Sequence, residues 1–145
     1  METYKSLILY FVVFSFLLLA SSIVIFQHKI GFSVDGVLRY YLGDEKLFIP
    51  SKNEAGILKI ILPHIFAFGL FSMVILHFVL FTKQKNRLKT LIYLLFVTAF
   101  LEIFTPFMII NGFYLFAYLK LISLFLFEVL ILYILYILFF SIING

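Results

Sequence analysis

The segment LILYFVVFSFLLLASSIVIF, Leu7 to Phe26, decides what kind of protein this is. It carries no charge, and its only polar side chains are Tyr10 and three serines. About 20 apolar residues, rising about 1.5 Å each in a helix, cross the hydrocarbon core of a bilayer. The run has that length and nothing in it that hydrocarbon would refuse. A second reading takes METYK as the start of a secretory signal and Ala20-Ser21-Ser22 as its cleavage site. The apolar run continues past that site to Phe26, which favours a span.

Three further runs repeat the pattern, at Ile57–Phe81, Leu91–Ile110 and within Phe113–Ile143. We expect a single transmembrane domain over residues 1–145. Its spans lie at about 7–27, 57–82, 90–110 and 115–142, with an external loop at 28–56 and a cytoplasmic loop at 83–89. The fourth run is longer than one crossing needs, so it tilts or opens with a helical turn at the interface. Backbone N–H and C=O groups must bond internally in lipid, so the spans are helices. No segment alternates strictly enough for a membrane β-barrel. The expected fold class is all-α, an integral membrane four-helix bundle.

Composition agrees. Of 145 residues, 65% are hydrophobic and 12% charged, too apolar for a soluble domain of this size. The absence of cysteine excludes disulfides, thiolate metal sites and covalently attached c-type haem. Tryptophan is absent too, leaving nine Tyr and 21 Phe as interfacial anchors. The net charge of +4 comes chiefly from one short loop, so it speaks for a membrane and not for nucleic acid.

That loop, TKQKNRLKT, holds Lys83, Lys85, Arg87 and Lys89 with no acid. Such a cluster marks the cytoplasmic side. Both termini are then cytoplasmic, with Lys5 in agreement, and the Asn111-Gly112 turn is external. The expected location is a bacterial inner membrane, crossed several times. The same cations offer a docking site for a cytosolic partner as an alternative to topology and lipid headgroup contact. In the first loop, Ser33 is an N-cap candidate with Asp35 in the first turn. Val34, Val37, Leu38, Tyr41 and Leu42 recur at helical spacing up to Gly43. A short amphipathic helix on the outer surface is expected, either capping the bundle or covering a cofactor or partner site.

Ionisable groups inside spans are costly and need a reason. Lys120, near the outer end of the fourth span, is expected to snorkel outward. Thr98, Glu102 and Thr105 form one polar stripe on the third span, and Pro106 removes a backbone hydrogen bond one turn beyond Glu102. Glu102 and Glu128 fall at similar depth when counted from the span centres. They are candidates for proton or ion handling.

The second span contains LPHIFAFGLFSMVILHF, with two histidines, His64 and His77. Thirteen residues separate them by about 20 Å along a helix, but rotate them by about 220°, so they do not share a face. Imidazole is a common haem ligand, and His28 is the only other histidine. His28 and His64 are about 6 Å apart in depth on an antiparallel pair of helices, so they could flank one haem b. His77 could bind a second haem, bond to a neighbouring helix or join a proton relay.

The span arrangement, the IGFSVDGVLRYYLG segment at Ile30–Gly43 and the HIFAFG segment at His64–Gly69 resemble small bacterial inner-membrane subunits of the b-type cytochrome kind. The resemblance covers the first half of the chain. It implies a haem-bearing or quinone-facing subunit of a respiratory complex, with His28 and His64 as ligands. Spans three and four carry no histidine.

Three functions follow. The first is a redox subunit binding haem b at His28, His64 and His77, passing electrons near a quinone and sitting among other membrane subunits. The second is a small proton- or cation-coupled transporter using Glu102 and Glu128, self-associated because four helices enclose little volume. The third is a non-catalytic assembly subunit with no cofactor. No nucleophile elbow, phosphate-binding loop, HExxH or dinucleotide-binding glycine pattern is present. A stand-alone enzyme is not expected.

Overall fold

The computed structural model describes residues 2–80 and 85–143, with side chains over 5–80 and 88–141. Five α-helices and one short 3₁₀ turn make up the described chain: α1 (Glu2–Lys29), α2 (Val34–Leu42), α3 (Glu54–Leu80), α4 (Lys85–Ile110) and α5 (Phe116–Ile143). Four of them are long and apolar enough to cross a membrane. The expected all-α fold is what the chain adopts. α1 runs unbroken through Ala20–Ser22. The orienting loop falls partly outside the described residues, which exclude Lys83; Lys85, Arg87 and Lys89 begin α4. Below, "inner" means the end that carries the N-terminus.

α2 forms where the sequence places it. Ser33 accepts from the Gly36 N–H at 3.0 Å, and Asp35 lies in the first turn. The Gly43 N–H closes on the Arg39 carbonyl at 3.0 Å. Gly43 has φ of 85°, and a Cβ there would sit 2.6 Å from the Ser51 nitrogen, so only glycine fits this turn. After it, Asp44 and Ile49 pair through two backbone bonds around the 3₁₀ turn Glu45–Leu47.

α4 and α5 pack along their length, α3 lies against α4, α1 against α5, and α2 rests on the outer parts of α4 and α5. Around the bundle the order is therefore α3, α4, α5, α1. α1 and α3 flank the remaining gap. Near the inner end aromatic rings close it, with the Phe11 ring tilted against Phe71 at 5.7 Å and Phe78 at 5.0 Å between centres. Toward the outer end it stays open. α5 is the most buried span, and α1 and α3 give most of their surface to lipid.

The buried side chains form two apolar clusters. The inner one includes Ile8, Leu19, Ile75, Leu95 and Ile134; the outer one includes Phe26, Val37, Tyr41, Ile57 and Ile109. Along α1, α4 and α5, the polar side chains that need explaining fall at or near the junction of the two.

Candidate functional site: a cavity between the spans

The open part of the gap is a cavity of about 550 Å³, bordered by α1, α3, α4 and α5 and by α2 above. Ser21, Lys59, His64 and Ala67 line it and are exposed, so it opens sideways between α1 and α3. Its walls are chiefly apolar. Its polar groups within the spans include Glu102, Lys120, Glu128, Ser21, Ser22, His64 and, nearer the outer end, Lys59.

Pro106 is where the cluster starts. It lies inside α4 and has no N–H to give the carbonyl four residues back, which belongs to Glu102. That carbonyl is buried in hydrocarbon and needs a donor. Lys120 of α5 supplies it, its Nζ lying 2.7 Å from the Glu102 backbone oxygen. The same Nζ forms an ion pair with Glu102 Oε1. Ser123 Oγ lies 3.2 Å from Glu102 Oε2 and 3.1 Å from the Lys120 carbonyl, within donating reach of either. Both charged residues are buried, Lys120 at 6% exposure and Glu102 at 7%.

The expectation that Lys120 snorkels is overturned. A Cβ on α5 leans toward the helix N-terminus, which here is the outer end. The side chain nevertheless turns inward. Glu102 lies about 12 Å below the outer end of α4 and Lys120 about 6 Å below that of α5, a difference a lysine spans. Two acceptors, one charged, outweigh the gain of reaching water.

Glu128 is arranged differently. Its Oε1 accepts from Ser22 Oγ of α1. Its Oε2 is buried with no hydrogen-bond partner among the described residues, and the residue is 5% exposed. It sits about 18 Å below the outer end of α5, so it is about one turn deeper than Glu102, not level with it as counted from the span centres. The stripe Thr98, Glu102, Thr105 is buried as its spacing implies.

The three histidines part company. His64 lines the cavity, with Nδ1 2.6 Å from the Ile60 carbonyl and its ring edge-on to Phe68. His28 lies in the last turn of α1 and His77 in the last turn of α3; both are exposed and neither borders the cavity. The cavity thus offers a haem one imidazole, not the His28–His64 pair. α2 roofs it with Tyr41, which is buried. Burial first, and the Glu102 charge second, push the Tyr41 phenol above the usual tyrosine range, so it stays neutral.

Of the residues that the sequence singles out, His64, Glu102, Pro106 and Glu128 line the cavity, whereas the pairing of Lys120 and the bond from Ser22 were not read from it. Eighteen residues separate Glu102 from Lys120, and the turn between their helices makes the pairing readable in principle. Ser22 is 106 residues from Glu128, and no local signal links them.

Four apolar helices around an intramembrane cavity that holds a few polar groups define a multi-pass helical membrane protein in contact with the lipid bilayer. The chain belongs to a family of transmembrane helical domains, whose model matches residues 31–145. No curated protein and no solved structure matches it. The family match bears on the helical membrane architecture; it lends no support to the cytochrome likeness.

Proposed function

We propose that the protein is a small proton-coupled membrane carrier that admits a ligand from lipid into the cavity and exchanges it against the proton of Glu128. The observation behind this reading is the contrast between the two acids. Glu102 has a cation, a serine and a fixed place. Glu128, which lines the same cavity, has one serine and a buried oxygen with no hydrogen-bond partner among the described residues. A carboxyl held in hydrocarbon without a cation favours its neutral form and exchanges its proton when an opposite charge arrives. One chain supplies all the walls of this laterally open cavity, so self-association is not needed to form it.

The test needs no ligand. Vesicles carrying the protein, adsorbed on a solid-supported membrane and subjected to a pH jump, should give a transient current as protons reach a group at membrane depth. Glu128→Gln should abolish it. Equal currents from both proteins would sink the reading.

A second reading keeps one specific observation. With Nδ1 on the Ile60 carbonyl, His64 has Nε2 left for a metal, in a cavity walled by Phe68, Phe71 and Phe127. His64 would be the ligand this chain gives to haem b in a redox subunit near a quinone, and a neighbouring subunit would supply any second ligand. A reduced-minus-oxidised spectrum with a b-type band lost in His64→Ala belongs to that reading alone.

A further inference from the structure

We propose that the ligand of this cavity is a lipophilic organic cation, seated beside the Glu128 carboxylate in place of its proton. The inference rests on the carrier reading and adds the chemical class of the substrate. On binding, the carboxyl proton leaves Glu128 for water and the cation takes its place as counter-charge; no other bond forms or breaks.

The charges around Glu128 support this. Lys29 of α1, Tyr40 and Tyr41 of α2, Lys59 and His64 of α3, Glu102 of α4 and Lys120 of α5 line the same cavity. Glu102 and Lys120 cancel each other at hydrogen-bond distance. Tyr41 is neutral, because burial and the Glu102 charge oppose its ionisation. Tyr40 is held neutral by burial too. Lys29 ends α1 about 10 Å above the level of Ser22, and Lys59 lies in the outer part of α3. Both are exposed and lie nearer the outer surface than Glu128, where long side chains can carry their charge out to water. His64 spends its Nδ1 on its own helix and makes no hydrogen bond to Glu128. Among the described residues, Glu128 is therefore the acid of the cavity with no cationic hydrogen-bond or ion-pair partner.

The shape of the cavity selects the rest of the ligand. Phe68 and Phe127 meet at 4.7 Å between ring centres and form an aromatic wall near the acid. Aromatic faces favour a cation over an anion of equal size. The opening between α1 and α3 leads to lipid, so the ligand must be soluble there. Inorganic cations, which carry a tight hydration shell, fail the second condition.

Tetraphenylphosphonium is a suitable probe, with tetraphenylborate as its match in shape and opposite in charge. Binding is measured by equilibrium dialysis against the protein in lipid nanodiscs, with released protons counted by a pH indicator. The expected result is saturable binding of tetraphenylphosphonium with about one proton released per cation. Affinity falls roughly tenfold per pH unit once the carboxyl is protonated. Glu128→Gln, which keeps an acceptor for Ser22, should bind at least a hundredfold more weakly while keeping wild-type helicity and thermal unfolding. Glu128→Asp keeps the charge and should retain part of the affinity. No specific cation binding, equal binding of tetraphenylborate, or undiminished binding by Glu128→Gln would overturn the proposal. If the cation fails to bind while the Glu128-dependent pH-jump current persists, the substrate class is wrong and the carrier reading stands. If both are absent, the carrier reading falls as well.

Discussion

Lys120→Met should destabilise the protein by about 3–5 kcal/mol, the usual cost of breaking a buried ion pair by removing one partner. Methionine keeps the length and the apolar stem, so little packing is lost. What remains is a Glu102 carboxylate with Ser123 for company, and a Glu102 backbone carbonyl that Pro106 has already deprived of its helical donor. That orphaned carbonyl alone is worth about 1–3 kcal/mol. The double variant Glu102→Gln with Lys120→Met removes both charges and should recover a large part of the loss. The carbonyl stays unpaired, so recovery should be incomplete. Thermal unfolding of the four proteins of this cycle, in one lipid or detergent, measures the coupling directly. Additive effects would mean that the two side chains do not interact.

The second large effect is expected outside the membrane. Tyr41 is buried beneath α2 in the outer apolar cluster and also lines the cavity. Tyr41→Ala should cost about 3–5 kcal/mol, the range for emptying a fully buried aromatic site. Tyr41→Phe, which keeps the ring, should cost less than about 1.5 kcal/mol. Because α2 rests on α4 and α5 through this cluster, losing the ring should also loosen the roof. Amide hydrogen exchange over Val34–Leu42 should quicken in Tyr41→Ala while exchange in α5 stays slow. Uniform quickening in both helices would show that Tyr41 stabilises the whole bundle and not the roof.

Much of this architecture was legible because the bilayer leaves few choices. Long uncharged runs become helices, so Leu7–Phe26 and its three counterparts were readable from length and composition. α2 was readable for a different reason. Ser33, Asp35 and Gly43 are local punctuation, and each acts on backbone groups a few residues away. Pro106 was legible in the same local sense, since the missing bond to Glu102 follows from covalent structure. Its consequence was not. Where Lys120 points depends on how α4 and α5 face each other across their turn, and hydropathy is blind to rotation about a helix axis. In isolation a lysine near a span end has an easy route to water, so snorkelling was the reasonable expectation. The acceptors that override it lie on another helix. The histidines show the same limit. His28 and His64 are close in depth, but depth says nothing about which side of a helix faces the gap, and of the two His64 lines the cavity and His28 does not. Ser22, bound to an acid on the last span, could be found only from the assembled bundle.

Glu102 and Glu128 look equivalent in sequence, and the account gives them opposite roles: one is a fixed member of an ion pair, the other exchanges a proton. Infrared difference spectra between acid and neutral pH, recorded on vesicle-reconstituted wild-type, Glu102→Gln and Glu128→Gln proteins, separate these roles. We predict a protonated-carboxyl band that titrates in wild type, persists in Glu102→Gln and is missing from Glu128→Gln. A band that survives in Glu128→Gln and vanishes in Glu102→Gln would contradict the account.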